Sequence, residues 1–305
     1  MAGPLPDYDD LPRRAGLPCA WDVWRSDGDV FGCLNLLTEE RAAAAARLVE
    51  RGAVFPLNWT MGLPNPPLFN RSRYTHEVTG SDTSTAHDDV LHDYNTQSSS
   101  QWDGFRHIRN SLAREELPGT GHFGGVDDGD HGVHHWARRG IVGRGVLADI
   151  ARWREQQGRP LRHGQRDSVS AEELLECLAA QGTEVREGDI LLVRFGWVDW
   201  YETQPAAVRE SLADRASLIA VGFEAGEELA RTLWNLHVAA VGTDTPGFEA
   251  WPLGPDLTPD EREAYRTEQR RLHEIFAHTI LLPMLGLPLG ELFALDSLAA
   301  DCAAD

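Results

Sequence analysis

The sequence predicts an α/β fold with a mixed sheet, and three observations carry that prediction. Asp189-Ile-Leu-Leu-Val-Arg194 is a continuous apolar run, the pattern of a strand covered on both faces and therefore central. Ser170-Ala-Glu-Glu173 is a capping box that opens a helix running to about Gln181. Around these two elements, strand and helix signals mix without a strict βαβ rhythm.

The other elements follow in chain order. Residues 1–30 are rich in Pro, Gly and Asp and hold Trp21 and Trp24, so an irregular arm lying over a surface is expected, followed by one domain over 31–305. Thr38 suits an N-cap, Glu39 and Glu40 suit a first turn, and Gly52 suits a stop, which predicts a helix to about Arg51. Val54-Phe-Pro-Leu-Asn-Trp59 reads as a strand. Gly62 to Asp89, with Pro64, Pro66 and Pro67, reads as a long polar loop, and such loops are more often functional than idle. Ser111 to His131 reads as irregular, followed by a short helix near His134–Arg139 and the apolar strand Gly145–Ile150. Residues 220–236 and 259–278 read as helices, and Trp234 to Val241 leads into another buried strand. Ile280 to Leu295 is interrupted by Pro283, Pro288 and Gly290, which predicts strand and turn.

Charge narrows the function classes. The chain of 305 residues carries 28 Lys and Arg against 48 Asp and Glu, a formal net charge of -20. No basic stripe interrupts that excess, so the expected partner is a small-molecule substrate and not nucleic acid. An anionic membrane surface would repel such a chain. No apolar run approaches spanning length and the first residues lack an apolar signal core, which makes cytoplasmic the expected location. Cys19, Cys33, Cys177 and Cys302 are widely spaced, against a disulfide framework or a structural zinc knuckle.

The stretch richest in chemistry is Asn95-Thr-Gln-Ser-Ser-Ser-Gln-Trp-Asp-Gly-Phe-Arg-His107. Gln101 and Asp103 are two apart, so in an extended strand they point to one side, with Trp102 to the other. His107 adds an imidazole that titrates near neutrality. An amide oxygen, a carboxylate and an imidazole converging on one pocket form a metal or acid–base site, or else a polar turn that satisfies itself. Ser98, Ser99 and Ser100 read as hydrogen-bonding residues, since no Gly-x-Ser-x-Gly elbow accompanies them. Gly140-Ile-Val-Gly-Arg-Gly145 lacks the spacing for a dinucleotide and precedes a strand.

That stretch resembles the signature of the cyclase family, metal-dependent hydrolases that include kynurenine formamidases and isatin hydrolases. The family pattern is His-x-Gly-Thr-His-x-Asp-x-Pro-x-His. Asp103 falls on its Asp and His107 on its last His, while Gln97 and Gln101 stand where the two earlier histidines stand. Gly32-Cys-Leu-Asn-Leu-Leu-Thr38, Arg139 to Asp149, Gly188 to Trp197, Val241-Gly-Thr-Asp-Thr-Pro246, His278 and Pro288-Leu-Gly-Glu291-Leu resemble further family segments in the same order. The resemblance spans roughly Trp21 to Leu298 and is nearest to a long branch carrying Gln-Trp-Asp.

The resemblance implies the swivelling β/β/α fold of the cyclase-like hydrolases, one catalytic domain over 31–305, and a homodimer or homotetramer. It implies His107 as general base and Asp103, His278, Glu291, Gln101 and Gln97 as candidate metal ligands. Two imidazoles replaced by neutral amides leave an oxygen-rich set, so one divalent ion, Mn²⁺ or Zn²⁺, is expected where the family holds two. The expected activity is hydrolysis of a cyclic or aryl amide, ester or lactone through a metal-activated water. Two alternatives stand beside it: a metal-free acid–base cyclase or isomerase, and a non-catalytic ligand-binding homologue. Trp102, His122 and Trp59 are the expected substrate contacts, with core packing the commoner role for any tryptophan.

Weaker signals have bland readings. His273 and His278 are five apart and diverge by about 140° on a helix, so they do not form a zinc helix. His131, His134 and His135 read as a surface cluster, and Asp244 at a strand end as a cap of a neighbouring turn.

Overall fold

A computed structural model describes residues 4–24, 28–116, 121–125, 131–254, 257–268 and 272–304. Its strands in chain order are β1 (Arg13–Arg14), β2 (Leu17–Pro18), β3 (Thr75–Val78), β4 (Asp89–His92), β5 (Gln101–Asp103), β6 (Gly145–Asp149), β7 (Ser168–Val169), β8 (Ile190–Arg194), β9 (Gly222–Phe223), β10 (Ala240–Thr243) and β11 (Leu289–Glu291). Five of them form the main sheet in the order β5-β11-β10-β8-β6. The β6, β8, β10 and β11 pairings are parallel, and β5 joins β11 antiparallel. The fold is therefore α/β with a mixed sheet, as the sequence predicts.

The apolar runs fill the middle of that sheet. Leu191 and Val193 of β8 and all of β10 are fully or nearly fully buried. Helix Ala171–Gln181 opens on the complete Ser170/Glu173 capping box and buries Leu174, Cys177 and Leu178 against β6. Helix Glu227–Asn235 buries Leu229, Ala230, Leu233 and Trp234 on one face, the 3.6-residue stripe of an amphipathic helix. Each such large apolar side chain contributes about 1.5–3 kcal/mol of transfer free energy.

The opposite face of the sheet is closed by Phe293, which lies over two glycines. Gly242 of β10 and Gly290 of β11 are paired in register, and a Cβ on either would sit 2.6 Å from the Phe293 ring. Trp102 of β5 meets the same ring edge-on, with centroids 5.1 Å apart. Phe293 thus supports the two strands that carry the candidate site.

The N-terminal segment packs across the rest of the chain. Tyr8 is fully buried and its N–H donates to Asn235 Oδ1 at 2.7 Å. Trp21 Nε1 donates to the Pro283 carbonyl at 2.6 Å, and Trp234 Nε1 to that of Pro6 at 2.9 Å. At the far end of the sheet, no strand among the described residues lies beyond β6. The Gln181 side chain occupies that position: Nε2 donates to Leu147 O and Oε1 accepts from Asp149 N, both at 2.8 Å.

Several expectations are corrected. The helix after Thr38 is capped as expected, the Thr38 side chain accepting from Arg41 N, but it ends at Ala46. It buries no residue, and Leu48 and Val49 beyond it are exposed, so nothing holds another turn. Val54–Trp59 forms only a bridge from Asn58 to Phe293, because Val54 is exposed and Pro56 offers no N–H. The long polar loop contains the β3–β4 hairpin, and Ser111–Glu116 is a helix whose Ala113 N–H is capped by Asn110 Oδ1. The run 259–278 divides into a helix Pro259–Glu268, a short 3-10 turn Leu272–Glu274 and a new helix at His278–Leu281, with 269–271 outside the described residues. Within 220–236 the helix occupies only Glu227–Asn235, after β9.

Candidate metal centre

The antiparallel β5–β11 pairing builds the site. Its register sets Gln101 opposite Glu291 and Asp103 opposite Leu289. Directly opposed residues share a face and alternate residues return to it, so Gln101, Asp103 and Glu291 converge. All three are buried, Asp103 completely. His278, the first residue of its short helix and also buried, brings Nε2 to 3.3 Å from Asp103 Oδ2 and 3.3 Å from Glu291 Oε1. Asp103, His278 and Glu291 each offer one ligand atom within 4.8 Å of the others.

His107 lies in the turn after β5, its N–H bonded to Gly104 O at 2.8 Å. Its Nε2 is 3.9 Å from Asp103 Oδ2 and its side chain is 30% exposed, so it faces both the cluster and solvent. Gln101 Nε2 donates to Glu291 Oε2 at 2.7 Å, which leaves Gln101 Oε1 buried without a hydrogen bond. Gln97 lies against Asp103, and its Oε1 is also buried and unbonded. Ser98, Ser99 and Ser100 donate to the carbonyls of Asn95, Thr60 and Leu292, so none is free to act as a nucleophile. Asp244 caps the turn after β8 as expected, accepting from Phe195 N at 2.6 Å and Gly196 N at 2.7 Å.

Sequence reasoning missed Glu249. Both of its carboxylate oxygens lie 2.9 Å from His278 Nδ1, and Oε1 also accepts from the His278 backbone N–H at 3.0 Å. With Nδ1 held by Glu249, loss of the Nε2 proton to make room for a cation would leave that lone pair aimed between Asp103 and Glu291. This is the carboxylate–histidine arrangement that orients an imidazole toward a metal. The pair is 29 residues apart in sequence, so no local spacing announces it. Glu249→Ala is expected to weaken metal affinity about 10- to 100-fold, with Glu249→Gln retaining more of it. Titration of the metal-free protein with Mn²⁺ checks this, and equal affinities would remove Glu249 from the role.

The charges are mutually strained. Burial pushes the Asp103 carboxyl up, but the neighbouring His278 and His107 outweigh it and hold Asp103 below the usual range. Burial and then Asp103 push Glu291 up to about 7. Burial alone would lower His278, yet Glu249, Asp103 and Glu291 raise it well above an ordinary histidine. Burial lowers His107, with Asp103 partly opposing.

The donor set fits a divalent cation. Neither Asp103 oxygen accepts a hydrogen bond, although both are buried, and the Gln101 and Gln97 carbonyl oxygens are in the same state. Buried oxygens left unbonded are costly and are normally satisfied by protein, water or an ion. Two donors each about 2.1 Å from one ion stand roughly 3.0–3.4 Å apart at tetrahedral or octahedral angles, and the observed 3.3 Å separations match. His273 lies on the preceding 3-10 turn and takes no part in this cluster.

A groove of about 780 Å³ opens beside the cluster, walled by Gln97, Gln101, Trp102, His107, His131 and Trp136. Trp102 lines this groove while its ring packs edge-on against Phe293. Trp59 does not. It is buried against Tyr201 and its Nε1 donates to Glu202 at 2.5 Å, so its ring is taken up by packing. His122 is buried in its loop and does not line the groove. A second hollow of about 480 Å³ lies at the β6 end of the sheet, by Trp153 and Cys302, remote from these groups.

Comparison with known proteins supplies the family. Residues 48–250 match the family model described as "Putative cyclase". No curated protein matches the chain. Among solved structures, a crystal structure of a novel cyclase is 25% identical over 94% of this chain and 90% of that one, with a TM-score of 0.72. Isatin hydrolase A from Ralstonia solanacearum is 14% identical over 85% of this chain and 86% of that one, at 0.53. Isatin hydrolase A from Labrenzia aggregata, bound to benzyl benzoate, is 14% identical over 87% of each chain, at 0.51. With its matched segment covering well over half of its length and its sheet superposing on a cyclase along nearly the whole chain, the protein belongs to the cyclase family.

Proposed function

We propose that the protein hydrolyses a carbonyl C–N or C–O bond, in a cyclic or aryl amide, ester or lactone, with one divalent cation. Asp103, His278, Glu291 and the Gln101 carbonyl would hold the ion, with Gln97 beside them. The observation that carries this reading is the convergence of the buried Asp103 and Glu291 carboxylates, each 3.3 Å from the Nε2 of a histidine whose Nδ1 is held by Glu249. One nitrogen among oxygens favours Mn²⁺ over Zn²⁺. Bound there, the ion would polarise the substrate carbonyl and acidify a water.

The chain's own residues do the remainder. His107, kept neutral by burial, accepts the proton from that water and returns it to the leaving group. Glu249 fixes the His278 ring. Trp102 and Trp136 offer apolar walls in the groove that leads to His107.

Chelation tests the reading. Protein purified without chelator is expected to carry about one equivalent of Mn or Zn and to hydrolyse at least one of a panel of p-nitrophenyl esters, lactones and aryl formamides. Exhaustive treatment with dipicolinate should lower that turnover at least about a hundredfold, and added Mn²⁺ should restore it. Turnover that survives metal removal would turn the reading to acid–base chemistry by His107 alone.

A further inference from the structure

Arg71 and Arg215 share one aromatic pair near the metal cluster. The chain has 48 Asp and Glu for 28 Lys and Arg, and arginines such as Arg144, Arg154 and Arg194 pair with acids. Among the described residues, neither Arg71 nor Arg215 is in an ion pair. The Arg71 guanidinium donates to the Gln97 carbonyl and lies over the Phe69 ring at 4.9 Å. Arg215 lies over the Trp251 ring at 5.3 Å. Phe69 and Trp251 meet edge-to-face at 5.2 Å, so the two cations stack on one aromatic pair. Their backbones are tied together: Asn70 N donates to Ala213 O at 3.0 Å, and Arg215 N to Asn70 Oδ1 at 2.9 Å.

Arg71 borders the metal cluster, and Arg215 lies behind it on the shared aromatic pair. Arg71 bonds the backbone of Gln97, whose side chain lies against Asp103 and lines the groove. Its charge acts on Asp103, Glu291 and His107. Arg71 is half-buried, and desolvation followed by the nearby Arg215 opposes its charge, while Glu291 and Asp103 support it. Two guanidinium charges held close together repel, and an anion bound between them would relieve that repulsion. A guanidinium presents five N–H donors in a planar fork, and Arg71 uses one.

We propose that Arg71, assisted by Arg215, is an anion-recognition site that selects substrates bearing a carboxylate near the scissile carbonyl. The proposal rests on the hydrolase reading only for the word substrate. The recognition of a carboxylate by the two arginines stands apart from it.

Two arms separate these. In the first, the Mn²⁺-loaded protein is titrated with benzoate and with neutral benzamide by calorimetry. Benzoate is expected to bind at least about tenfold more tightly than benzamide. Arg71→Gln should weaken benzoate about 10- to 100-fold, Arg71→Lys less, and Arg215→Gln, at an exposed position, about two- to fivefold. Arg215→Gln keeps the test alive should Arg71→Gln fail to fold. Unchanged benzoate affinity in both glutamine variants would overturn the proposal. So would benzoate binding lost on chelation but retained in Arg71→Gln, which would place the carboxylate on the metal.

In the second arm, hydrolysis of mono-p-nitrophenyl glutarate is compared with that of p-nitrophenyl acetate. The ratio of their kcat/KM values is expected to favour the glutarate about tenfold or more and to collapse in Arg71→Gln. A ratio unmoved by the substitution counts against the proposal. If neither ester reacts, the hydrolase reading loses support while the benzoate arm still decides the anion site.

Discussion

Asp103→Ala is expected to remove the bound metal and to lower turnover by about a thousandfold or more, the several kcal/mol that a Lewis-acid ion supplies at a carbonyl. Asp103 is the residue on which the cluster converges, since His278 and His107 both approach its Oδ2. It is completely buried and accepts no hydrogen bond. Its loss leaves Glu291 without the like charge that, after burial, raises its pKa.

The response of stability to added metal separates a ligand from a structural group. Without metal, Asp103→Ala should melt below the wild type, because, despite burial, His278 and His107 hold the Asp103 carboxyl below its usual range and so favour its charged form in the folded state. With saturating Mn²⁺, the wild type should gain Tm by mass action and the variant should not. Elemental analysis and paired melts make the check. A variant that keeps both its metal and its activity would end the assignment.

His107→Ala is expected to lower kcat about 10²- to 10⁴-fold while leaving metal content intact. The imidazole is 30% exposed, stands 3.9 Å from Asp103 and belongs to the wall of the groove, so it can reach a substrate without being a necessary ligand. Burial lowers its pKa below an ordinary histidine, with Asp103 opposing. A nearby cation would act in the same direction. The sign follows: the base is neutral and competent at pH 7, and the rate should fall only as pH drops through a value below about 6.5. That acid limb should vanish from the pH profile of His107→Ala, and added imidazole should restore part of the rate. An unchanged kcat would move the base elsewhere.

What the sequence reveals depends on how local its cause is. β8 and helix Ala171–Gln181 are legible because a continuous apolar run and a capping box act over a few residues. The β5 side of the site is legible because a two-residue period places Gln101 and Asp103 on one face. His278 and Glu291 required family resemblance, since only the β5–β11 pairing and a separate short helix bring them together. Glu249 escaped altogether, its role arising from a contact across 29 residues. The helix after Thr38 was overextended because capping signals say where helices start, while burial, absent there, decides how far they run. The Ser111–Glu116 helix carried a readable sign in Asn110, whose side chain caps it. Trp59 shows the limit of composition: an aromatic near a signature is more often needed by the core, and the Tyr201 ring claims it.

The glutamine that closes the β6 end of the sheet has a consequence for the behaviour of the protein in a crowded solution. A strand whose outer N–H and C=O groups are unclaimed is a template on which another chain can polymerise, and Val146-Leu-Ala is the kind of apolar segment that propagates such growth. Gln181 acts as a chain terminator. One amide, anchored on a helix of the same molecule, occupies both the donor and the acceptor that an incoming strand would need first. A shorter residue at 181 would leave that donor and acceptor open at the edge.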